Sequence, residues 1–391
     1  MTLFLNDVGL LCAVGNNKAE VLRRLLSGDR SGMSATAEFG PTCVVGAVQA
    51  ELPELPARFN IYNCRNNRLL LAALSQIDAT VQAMIAQFGA DRIGIVLGTS
   101  TSGVRNTELA LSYLAVHGVL PEQFHYKQQQ MGAGADFLAD FLGVSGPAYT
   151  ISTACSSSGK AFASARRLIR LGLCDAVVVG GADSLCALTV NGFAALESLS
   201  SGLCKPFGLN RDGINIGEAA ALFVLSKAPG SVILQGIGAS SDAYHFSAPD
   251  PQATQVIAAM QKALDDAGKT AADIDYINLH GTATVLNDAM ESKAVHDLFG
   301  TAVPASSSKG MTGHTLGAAA ALELGLCWLL LNSDDSQGAL IPNCNDDEID
   351  TALPTINLVA KDQQLGRAIN TCQSNSFAFG GSNISMVVAR A

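Results

Sequence analysis

Residues 148–160, AYTISTACSSSGK, join a β-branched stretch to a run of small residues, and a helical pattern follows from Ala161 to Leu173. This change of pattern predicts that Cys155 lies where a strand ends and a helix begins. Unpaired N–H groups and the helix dipole at such a point favour an anion. We therefore expect a lowered thiol pKa and a nucleophilic Cys155, although a small buried cysteine in a tight turn gives the same local pattern.

Three later segments repeat the design of an apolar strand followed by a small-residue turn with a polar group. They are DYINLHGTAT (275–284), ASSSKGMTGH (305–314) and NSFAFGGSN (375–383). The first two contain His280 and His314, so two of the chain's six histidines stand at predicted strand ends. Loops at strand ends often carry catalytic groups. We expect these two histidines and Cys155 to form one site.

The order of predicted elements indicates an α/β fold with two similar halves. Strand and helix patterns alternate along the chain, and DAVVVG at 175–180 is typical of a buried strand in a parallel sheet. The helices after TACSSSGK and KGMTGH are both Ala-rich, which suggests an internal duplication, although two Ala-rich helices can also be similar by chance. We predict an N-terminal half at 1–230 and a C-terminal half at 231–391, fused across one large core.

The composition is that of a compact enzyme. Of 391 residues, 48% are hydrophobic and 15% are charged, and the net charge is −10. Such an acidic chain is poorly suited to nucleic acid, which favours a basic face. Met1 to Gly15 lacks the basic flank of a signal peptide, and Leu324 to Leu331 is too short to span a bilayer. Ten cysteines without CxxC pairs indicate neither zinc nor a disulfide framework, so we expect a cytoplasmic protein.

Four motifs, TACSSS, HGTAT with a downstream glutamate, KGMTGH and NSFAFGGSN, resemble those of the elongating β-ketoacyl-acyl-carrier-protein synthases of the thiolase superfamily. They occur in the family's order and span nearly the whole chain. The resemblance implies two pseudo-duplicated βαβαβαββ halves in a five-layer α-β-α-β-α arrangement. Gly208 after KPF and Ala378 in the last motif depart from the family pattern and indicate a specialised type, such as the secondary-metabolite synthases of aryl-polyene pathways.

The reaction that this resemblance implies is a decarboxylating Claisen condensation. An acyl group passes from a carrier thioester to Cys155, and malonyl-carrier then loses CO2, so that its enolate attacks the acyl-cysteine. His280 and His314 would donate hydrogen bonds to the malonyl thioester oxygen as neutral imidazoles. The product extends a fatty acid, polyene or polyketide chain. No cofactor is implied beyond the phosphopantetheine arm of the carrier.

The resemblance also implies roles for residues around this triad. It pairs Lys309 with Glu291 and lets Lys309 orient the histidines. Phe379 would gate the acyl pocket, and its backbone N–H would form an oxyanion hole with that of Cys155. Glu323 matches a family position near a structural monovalent cation, although the sequence alone assigns no metal site. The remaining substrate-binding residues would be Thr282, Thr284, Phe377, Gly380 and Gly381.

The expected partners are an acyl carrier protein and a second ketosynthase-like chain, either identical or different. Because carrier proteins are acidic, docking on this acidic chain requires a local basic patch. The candidates are Arg58, Arg65, Arg68 and Lys127; the alternative is that they are ordinary solvated charges. The resemblance places the dimer contact on the strand after the nucleophile helix, here DAVVVGGADS at 175–184.

Four other kinds of protein use related residues. A thiolase needs a second catalytic cysteine in the C-terminal glycine loop, whereas Cys372 lies outside that loop. Chain-initiating synthases use Cys, His and Asn, which the histidine of KGMTGH disfavours. A chain-length partner of a heterodimer lacks the nucleophile that this chain keeps. A thioester hydrolase of the Cys-His-Asn type leaves the second histidine unexplained.

Overall fold

The computed structural model describes residues 1–346 and 348–391. Its strands are β1 (Phe4–Cys12), β2 (Met33–Thr36), β3 (Cys43–Gly46), β4 (Ile93–Gly98), β5 (Ala148–Ile151), β6 (Ala176–Asp183), β7 (Ile216–Gly217), β8 (Ala219–Ser226), β9 (Val232–Ser241), β10 (Tyr276–Asn278), β11 (Pro304–Ser306), β12 (Asn357–Leu358), β13 (Thr371–Ala378) and β14 (Ser382–Arg390). Its α-helices are α1 (Lys18–Leu26), α2 (Arg65–Ser75), α3 (Asp78–Phe88), α4 (Val104–His117), α5 (Ala133–Leu142), α6 (Ser157–Arg170), α7 (Ala187–Ala195), α8 (Thr254–Ala267), α9 (Val285–Phe299), α10 (Lys309–Thr312) and α11 (Ala319–Leu331).

The large sheet consists of two sets of strands with the same internal order. The N-terminal set has the order β1-β8-β6-β4-β5 and the C-terminal set β9-β14-β13-β10-β11, with β12 beyond β11. In each set the first three strands are antiparallel neighbours and the last three are parallel. The sets meet between β1 and β9 through the pair Phe4 and Ile233. The predicted duplication is therefore confirmed.

The two helices that follow the equivalent strands β5 and β11 form the layer between the sets. Helix α6 packs against β4, β6 and β14, and α11 packs against β8, β13 and α6. All 13 residues of α11 are buried, as expected for a helix that is covered on every side. Gly159 of α6 lies so close to β14 that a Cβ there would come within 2.6 Å of Ile384 Cγ2. The missing side chain allows this close approach.

Most predicted elements are present with small shifts at their ends. The helix predicted at 161–173 is α6, and the strand predicted at 175–180 is β6. The predicted dimer strand is wrong, because DAVVVGGADS forms β6, which lies between β8 and β4 with both edges hydrogen-bonded. Its continuous apolar run reflects burial on both faces. Within the described residues, β5 is the strand that ends the N-terminal set.

The smaller sheet has the order β2-β3-β7 and packs near the second histidine motif. Strands β2 and β3 are antiparallel, and β3 and β7 are parallel. Val45 and Ile216 from this sheet belong to one apolar cluster with Leu316, which follows the KGMTGH turn. The sheet thus supports that turn from the N-terminal half.

No single helix in the described part of the chain is both long and apolar enough to cross a membrane. Helices α2 and α3 meet the length and composition criterion only as a pair bent by 76°. Leu69, Leu70 and Leu74 of α2 are buried in an apolar cluster of the N-terminal half.

Candidate active site

The turn that carries Cys155 joins β5 to α6 and contains a strained residue. Ala154 has a φ of +52°, in the left-handed region that residues with a Cβ rarely adopt. Ser157 stabilises this turn, because its Oγ accepts from Thr153 N at 2.9 Å and donates to Ala154 O at 2.5 Å. Cys155 lies just before the first turn of α6 and is 5% exposed. Its predicted position at a strand–helix junction is confirmed.

The predicted lowering of the Cys155 pKa is wrong. Burial of the sulfur raises this pKa to about 11, against the opposing effects of the Lys309 charge and of the backbone N–H groups of Phe379 and Cys155. Removal from water disfavours the thiolate more than these groups stabilise it. The resting side chain is therefore a thiol, and the nearby positive charge and N–H groups stabilise the negative charge as it develops.

Both predicted histidines lie beside Cys155. His314 Nε2 is 2.9 Å from the Cys155 sulfur, and the centroids of the His280 and His314 rings are 5.3 Å apart with an interplanar angle of 83°. The Cys155 sulfur and one ring nitrogen of each histidine all lie within 4.8 Å of one another. Burial lowers the pKa of both histidines well below the ordinary value, and the Lys309 charge acts in the same direction. Both rings are therefore neutral near pH 7.

Glu291 is buried beneath the His280 loop, but its predicted pairing with Lys309 is wrong. Its carboxylate accepts the backbone N–H groups of His280 and Gly281, each at 2.7 Å. The Lys309 ammonium group instead forms an ion pair with Glu323 of α11. Burial raises the pKa of both glutamates to about 7. Glu291 therefore orients His280 through the backbone of its loop.

Lys309 determines which nitrogen of His280 carries the proton. Its side chain is 1% exposed, donates to Glu323 and to His280 O, and places the ammonium nitrogen 3.4 Å from His280 Nδ1. An ammonium group can only donate, so Nδ1 accepts and Nε2 carries the hydrogen. The predicted orienting contact between Lys309 and a histidine is present. The His280 Nε2–H group is then available as a donor to the pocket.

His314 is fixed by backbone hydrogen bonds on both sides. Its N–H donates to Asn215 O at 2.7 Å, and its carbonyl oxygen accepts from Gly217 N at 2.9 Å. The residue precedes the 3-10 helix Leu316–Ala318, which leads into α11, so it lies just before the start of a helix. These contacts hold the ring with Nε2 facing the sulfur.

The Phe379 loop is the tight connection between β13 and β14. Gly380 and Gly381 have φ angles of 82° and 75°, a conformation that favours glycine. Gly380 N donates to Phe246 O at 2.8 Å, which ties the loop to the segment after β9. The Phe379 ring packs against Phe193 of α7 with centroids 5.6 Å apart, and its backbone N–H reaches the nucleophilic sulfur. The loop lies beside the nucleophile, as predicted.

A pocket of about 330 Å³ leads to the triad. The predicted residues that line it are Cys155, His280, His314, Thr282, Thr284, Phe377, Phe379, Gly380 and Gly381. The hydroxyl oxygens of Thr282 and Thr284 are 3.0 Å apart. Leu196, Ile214 and Met290 add apolar surface to the wall. An apolar channel with a few polar groups suits an extended arm that carries a thioester.

The four predicted docking residues do not line this pocket. Their contacts include ion pairs of Arg65 with Glu218, Arg68 with Glu54 and Lys127 with Asp136, and Arg58 lies over the Phe59 ring. Because the Glu218 side chain is 1% exposed, Arg65 balances a buried charge. The carrier-docking role of these residues stays a prediction.

Two buried carboxylates near the site were missed by the sequence analysis. Asp183, at the end of β6, accepts hydrogen bonds from Thr101 N at 2.8 Å and Gly317 N at 2.6 Å. It thereby ties the N-terminal half to the turn that follows the second histidine. Asp288 accepts a hydrogen bond from Ala283 N at 3.2 Å and so holds the loop that follows His280. The available signal was an acidic residue beside an apolar strand or motif, a place where charge is rare unless it is paired.

Three buried oxygens without hydrogen-bond partners fit the monovalent cation that the resemblance implies near Glu323. They are Glu323 Oε2, Asn278 Oδ1 and Ser374 Oγ. Asn278 and Ser374 are paired across β10 and β13, and α11 packs against both strands. Oxygen atoms are the ligands that hard cations prefer. The residues are therefore compatible with such an ion, which would supply a fixed positive charge beside the Lys309 pair.

Comparison with known proteins gives the family. Residues 65–229 match the family described as "Beta-ketoacyl synthase, N-terminal domain", and residues 232–345 match "Beta-ketoacyl synthase, C-terminal domain". The chain belongs to the β-ketoacyl synthase family. The triad geometry and this membership make it a condensing acyltransferase of the Cys-His-His type.

Individual relatives of this β-ketoacyl synthase are similar in sequence over almost the whole chain. Nodulation protein E of Rhizobium leguminosarum bv. trifolii is 32% identical, over 97% of this chain and 96% of its own. The 3-oxoacyl-[acyl-carrier-protein] synthase 1 of Haemophilus influenzae is 30% identical, over 98% and 97%. A chain in the solved complex of a ketosynthase (ApeO) with its chain length factor (ApeC) from Xenorhabdus doucetiae is 46% identical, with a TM-score of 0.95 and coverage of 100% and 98%. The predicted family and thiolase-like fold are confirmed.

Proposed function

We propose that this protein is a 3-oxoacyl-[acyl-carrier-protein] synthase of secondary metabolism, which condenses malonyl-carrier with an acyl group held on Cys155. The observation that carries the proposal is the convergence of one thiol and two neutral imidazoles at the end of a pocket. A thioester hydrolase needs one histidine beside its cysteine, whereas a decarboxylating condensation also needs donors for an enolate.

In the first half-reaction, the Cys155 sulfur attacks the acyl thioester of the carrier. A bond forms between this sulfur and the acyl carbon, the bond to the carrier sulfur breaks, and the thiol proton passes to the carrier sulfur. His314 Nε2 lies 2.9 Å from the attacking sulfur, so its N–H group stabilises the negative charge that develops on that sulfur. The backbone N–H groups of Phe379 and Cys155 stabilise the oxygen of the tetrahedral intermediate.

In the second half-reaction, malonyl-carrier occupies the pocket with its thioester oxygen near both imidazoles. The bond to the carboxylate carbon breaks, CO2 leaves, and its electron pair forms an enolate that His280 and His314 stabilise through Nε2–H groups. The enolate carbon then attacks the acyl carbon on Cys155. The new C–C bond forms, the cysteine sulfur leaves as a thiolate and regains a proton, and 3-oxoacyl-carrier is released.

The pocket supports the proposed binding of the carrier's arm. Thr282 and Thr284 offer two adjacent hydroxyl groups to the amides of a pantetheine chain. Phe379, in contact with Phe193, is placed to open or close the acyl side of the triad. We further propose that the reaction needs no cofactor other than the phosphopantetheine that carries its substrates.

The direct test of the nucleophile is acyl loading followed by intact-mass analysis. Cys155→Ala should abolish both loading and condensation. Cys12→Ala is the matched control, because burial also raises the pKa of the Cys12 thiol to about 11, and Cys12 is not among the residues that line the pocket. Loading of the Cys155→Ala protein to the level of the control would exclude Cys155 as the acyl acceptor.

We propose that the enzyme works as a dimer with a ketosynthase-like chain, and we favour a chain length factor as the partner. The support is the 46% identical relative solved in such a complex. Strand β5 ends the N-terminal set and is half-buried, so its edge is suited to pairing with a second chain. The native mass of the purified complex distinguishes a heterodimer, a homodimer and a monomer, and only the first agrees with this proposal.

The finer organisation follows from the same reasoning. We propose that the halves 1–230 and 231–391 are the structural units, with the strand sets β1 to β8 and β9 to β14 on either side of the boundary. We also propose a cytoplasmic location, which the scattered cysteines support. Slower hydrogen exchange of the β5 backbone amides on assembly would test whether the N-terminal half contributes this strand edge to the dimer.

A further inference from the structure

The catalytic triad has the donor atoms of a transition-metal site. Cys155, His280 and His314 supply one sulfur and two ring nitrogens within 4.8 Å of one another. A tetrahedral zinc ion with bonds of about 2.0–2.3 Å requires ligand separations of roughly 3.3–3.8 Å, so small side-chain movements would suffice. The pocket of about 330 Å³ leaves room for a water molecule as fourth ligand. Such an ion would block the nucleophile.

Lys309 opposes this binding in two ways. Its ammonium group is buried and lies 3.4 Å from His280 Nδ1, so a divalent cation at the triad would face a positive charge in a region of low dielectric constant. Its contact with Nδ1 also places the ring hydrogen on Nε2, the nitrogen that would otherwise bind the ion. Glu323 offsets part of the charge but does not change the position of this hydrogen.

We propose that Lys309 excludes thiophilic divalent metal ions from the Cys155–His280–His314 triad, in addition to orienting His280. The same contact thus keeps His280 as a hydrogen-bond donor and prevents it from becoming a metal ligand. This inference depends on the geometry of the three donors and of Lys309. It makes no use of the condensation reaction, so its failure would leave the proposed function intact.

The test measures Zn2+ and Co2+ binding to the full chain without substrate. A variant with Lys309→Met and Glu323→Gln removes both buried charges, so that neither is left unpaired. We expect Zn2+ to bind this variant at least about tenfold more tightly than the wild type, because the repulsion from Lys309 that Glu323 leaves uncompensated and the unfavourable His280 tautomer are both lost. Bound Co2+ should show thiolate-to-metal absorption, and binding should release the proton of the Cys155 thiol.

Two further variants locate the site and control for charge. Adding Cys155→Ala to the double variant should remove the gained affinity and the thiolate absorption. Lys227→Gln removes an ammonium group that pairs with Asp175 outside the site and should leave Zn2+ affinity unchanged. Equal Zn2+ affinity of the folded double variant and the wild type would overturn the proposal. Gained affinity that survives Cys155→Ala would also overturn it.

Discussion

The turns after β5 and β11 occupy equivalent positions in the two halves, yet they contribute different chemistry. The N-terminal turn supplies one thiol and is held by hydroxyl and backbone groups, such as Ser157 Oγ with Ala154 O. The C-terminal turn supplies Lys309 and His314, and its lysine forms a buried ion pair. Duplication of one scaffold has therefore produced a nucleophile on one side and an electrostatic site on the other.

This difference shows that the charged and polar side chains around the nucleophile come from the opposite half of the chain. Around Cys155, the positive charge comes from Lys309 and the nearest imidazole is that of His314, both from the C-terminal turn. The Cys155 thiol has a raised pKa of about 11, chiefly because of burial, and so do Cys12 and Cys64, which do not line the pocket. What distinguishes Cys155 is therefore its neighbours and its access to the pocket.

The largest expected effect is a loss of condensation without a comparable loss of acyl loading, because the two halves serve different reaction steps. His280→Ala should lower the condensation rate by roughly 10²–10³-fold, because a donor to the developing enolate is lost. Loading of Cys155 with an acyl group should change by no more than a few-fold, since the N-terminal turn is intact. Single-turnover loading and steady-state condensation measured on one preparation check this split. Equal losses in both steps would contradict the assignment.

The next prediction compares two losses of unfolding free energy, one from a buried charge left unpaired in the C-terminal half and one from altered packing in the N-terminal half. Lys309→Met leaves Glu323 buried without its partner and should cost about 3–5 kcal/mol of unfolding free energy. Gly159→Ala in α6 forces Ile384 to move and should cost about 1–3 kcal/mol. Denaturant unfolding of both variants measures the costs. If Lys309→Met were the milder change, the buried pair would not be the main electrostatic feature of the C-terminal turn.

A smaller effect concerns pH. Because burial keeps His280 and His314 neutral in the fold, these two side chains take up protons below about pH 6.5, the ordinary histidine pKa, only in the unfolded chain. The contribution of each histidine to the unfolding free energy should therefore fall by up to about 1.4 kcal/mol per pH unit below that value, whereas Glu291 and Glu323, which are protonated in the fold below about pH 7, act in the opposite direction. The His280→Asn, His314→Asn double variant should lack this part of the slope. His117→Asn, at an exposed position, should keep it.

The smallest expected effect is at the gate. Ala378 ends β13 without a positive φ, and the left-handed conformations of the loop fall on Gly380 and Gly381. Ala378→Gly should loosen the loop and raise loading from long acyl donors a few-fold, because glycine has more accessible backbone conformations. Ala389→Gly in β14 is the matched control. Unchanged loading rates would show that Ala378 does not stiffen the gate.

The sequence was sufficient to predict the site's main residues because each lies in a local pattern. An apolar strand pattern followed by a small-residue turn marks a strand end, and Cys155, His280 and His314 all lie in such segments. The repeated Ala-rich helices likewise predicted the duplication that the strand order shows. Motif order supplied the family, because no single turn was specific enough.

The errors concern properties that arise only in three dimensions. Glu291 and Glu323 are both buried near Lys309, and chain spacing could not show which of them forms the ion pair. The direction of the Cys155 pKa depended on the balance between burial and helix position, and burial was not visible in the sequence. The β6 run indicated a buried strand but not its neighbours, so the edge was assigned to the wrong strand.

The most direct test of the cooperation between the two turns is CO2 release from malonyl-carrier by Cys155→Gln. Glutamine imitates the acylated cysteine, so the intact histidines should decarboxylate malonyl-carrier without an acyl acceptor. Adding His280→Ala to this variant should stop CO2 release. A folded Cys155→Gln protein that releases no CO2, or one that releases it equally with and without His280, would contradict the account.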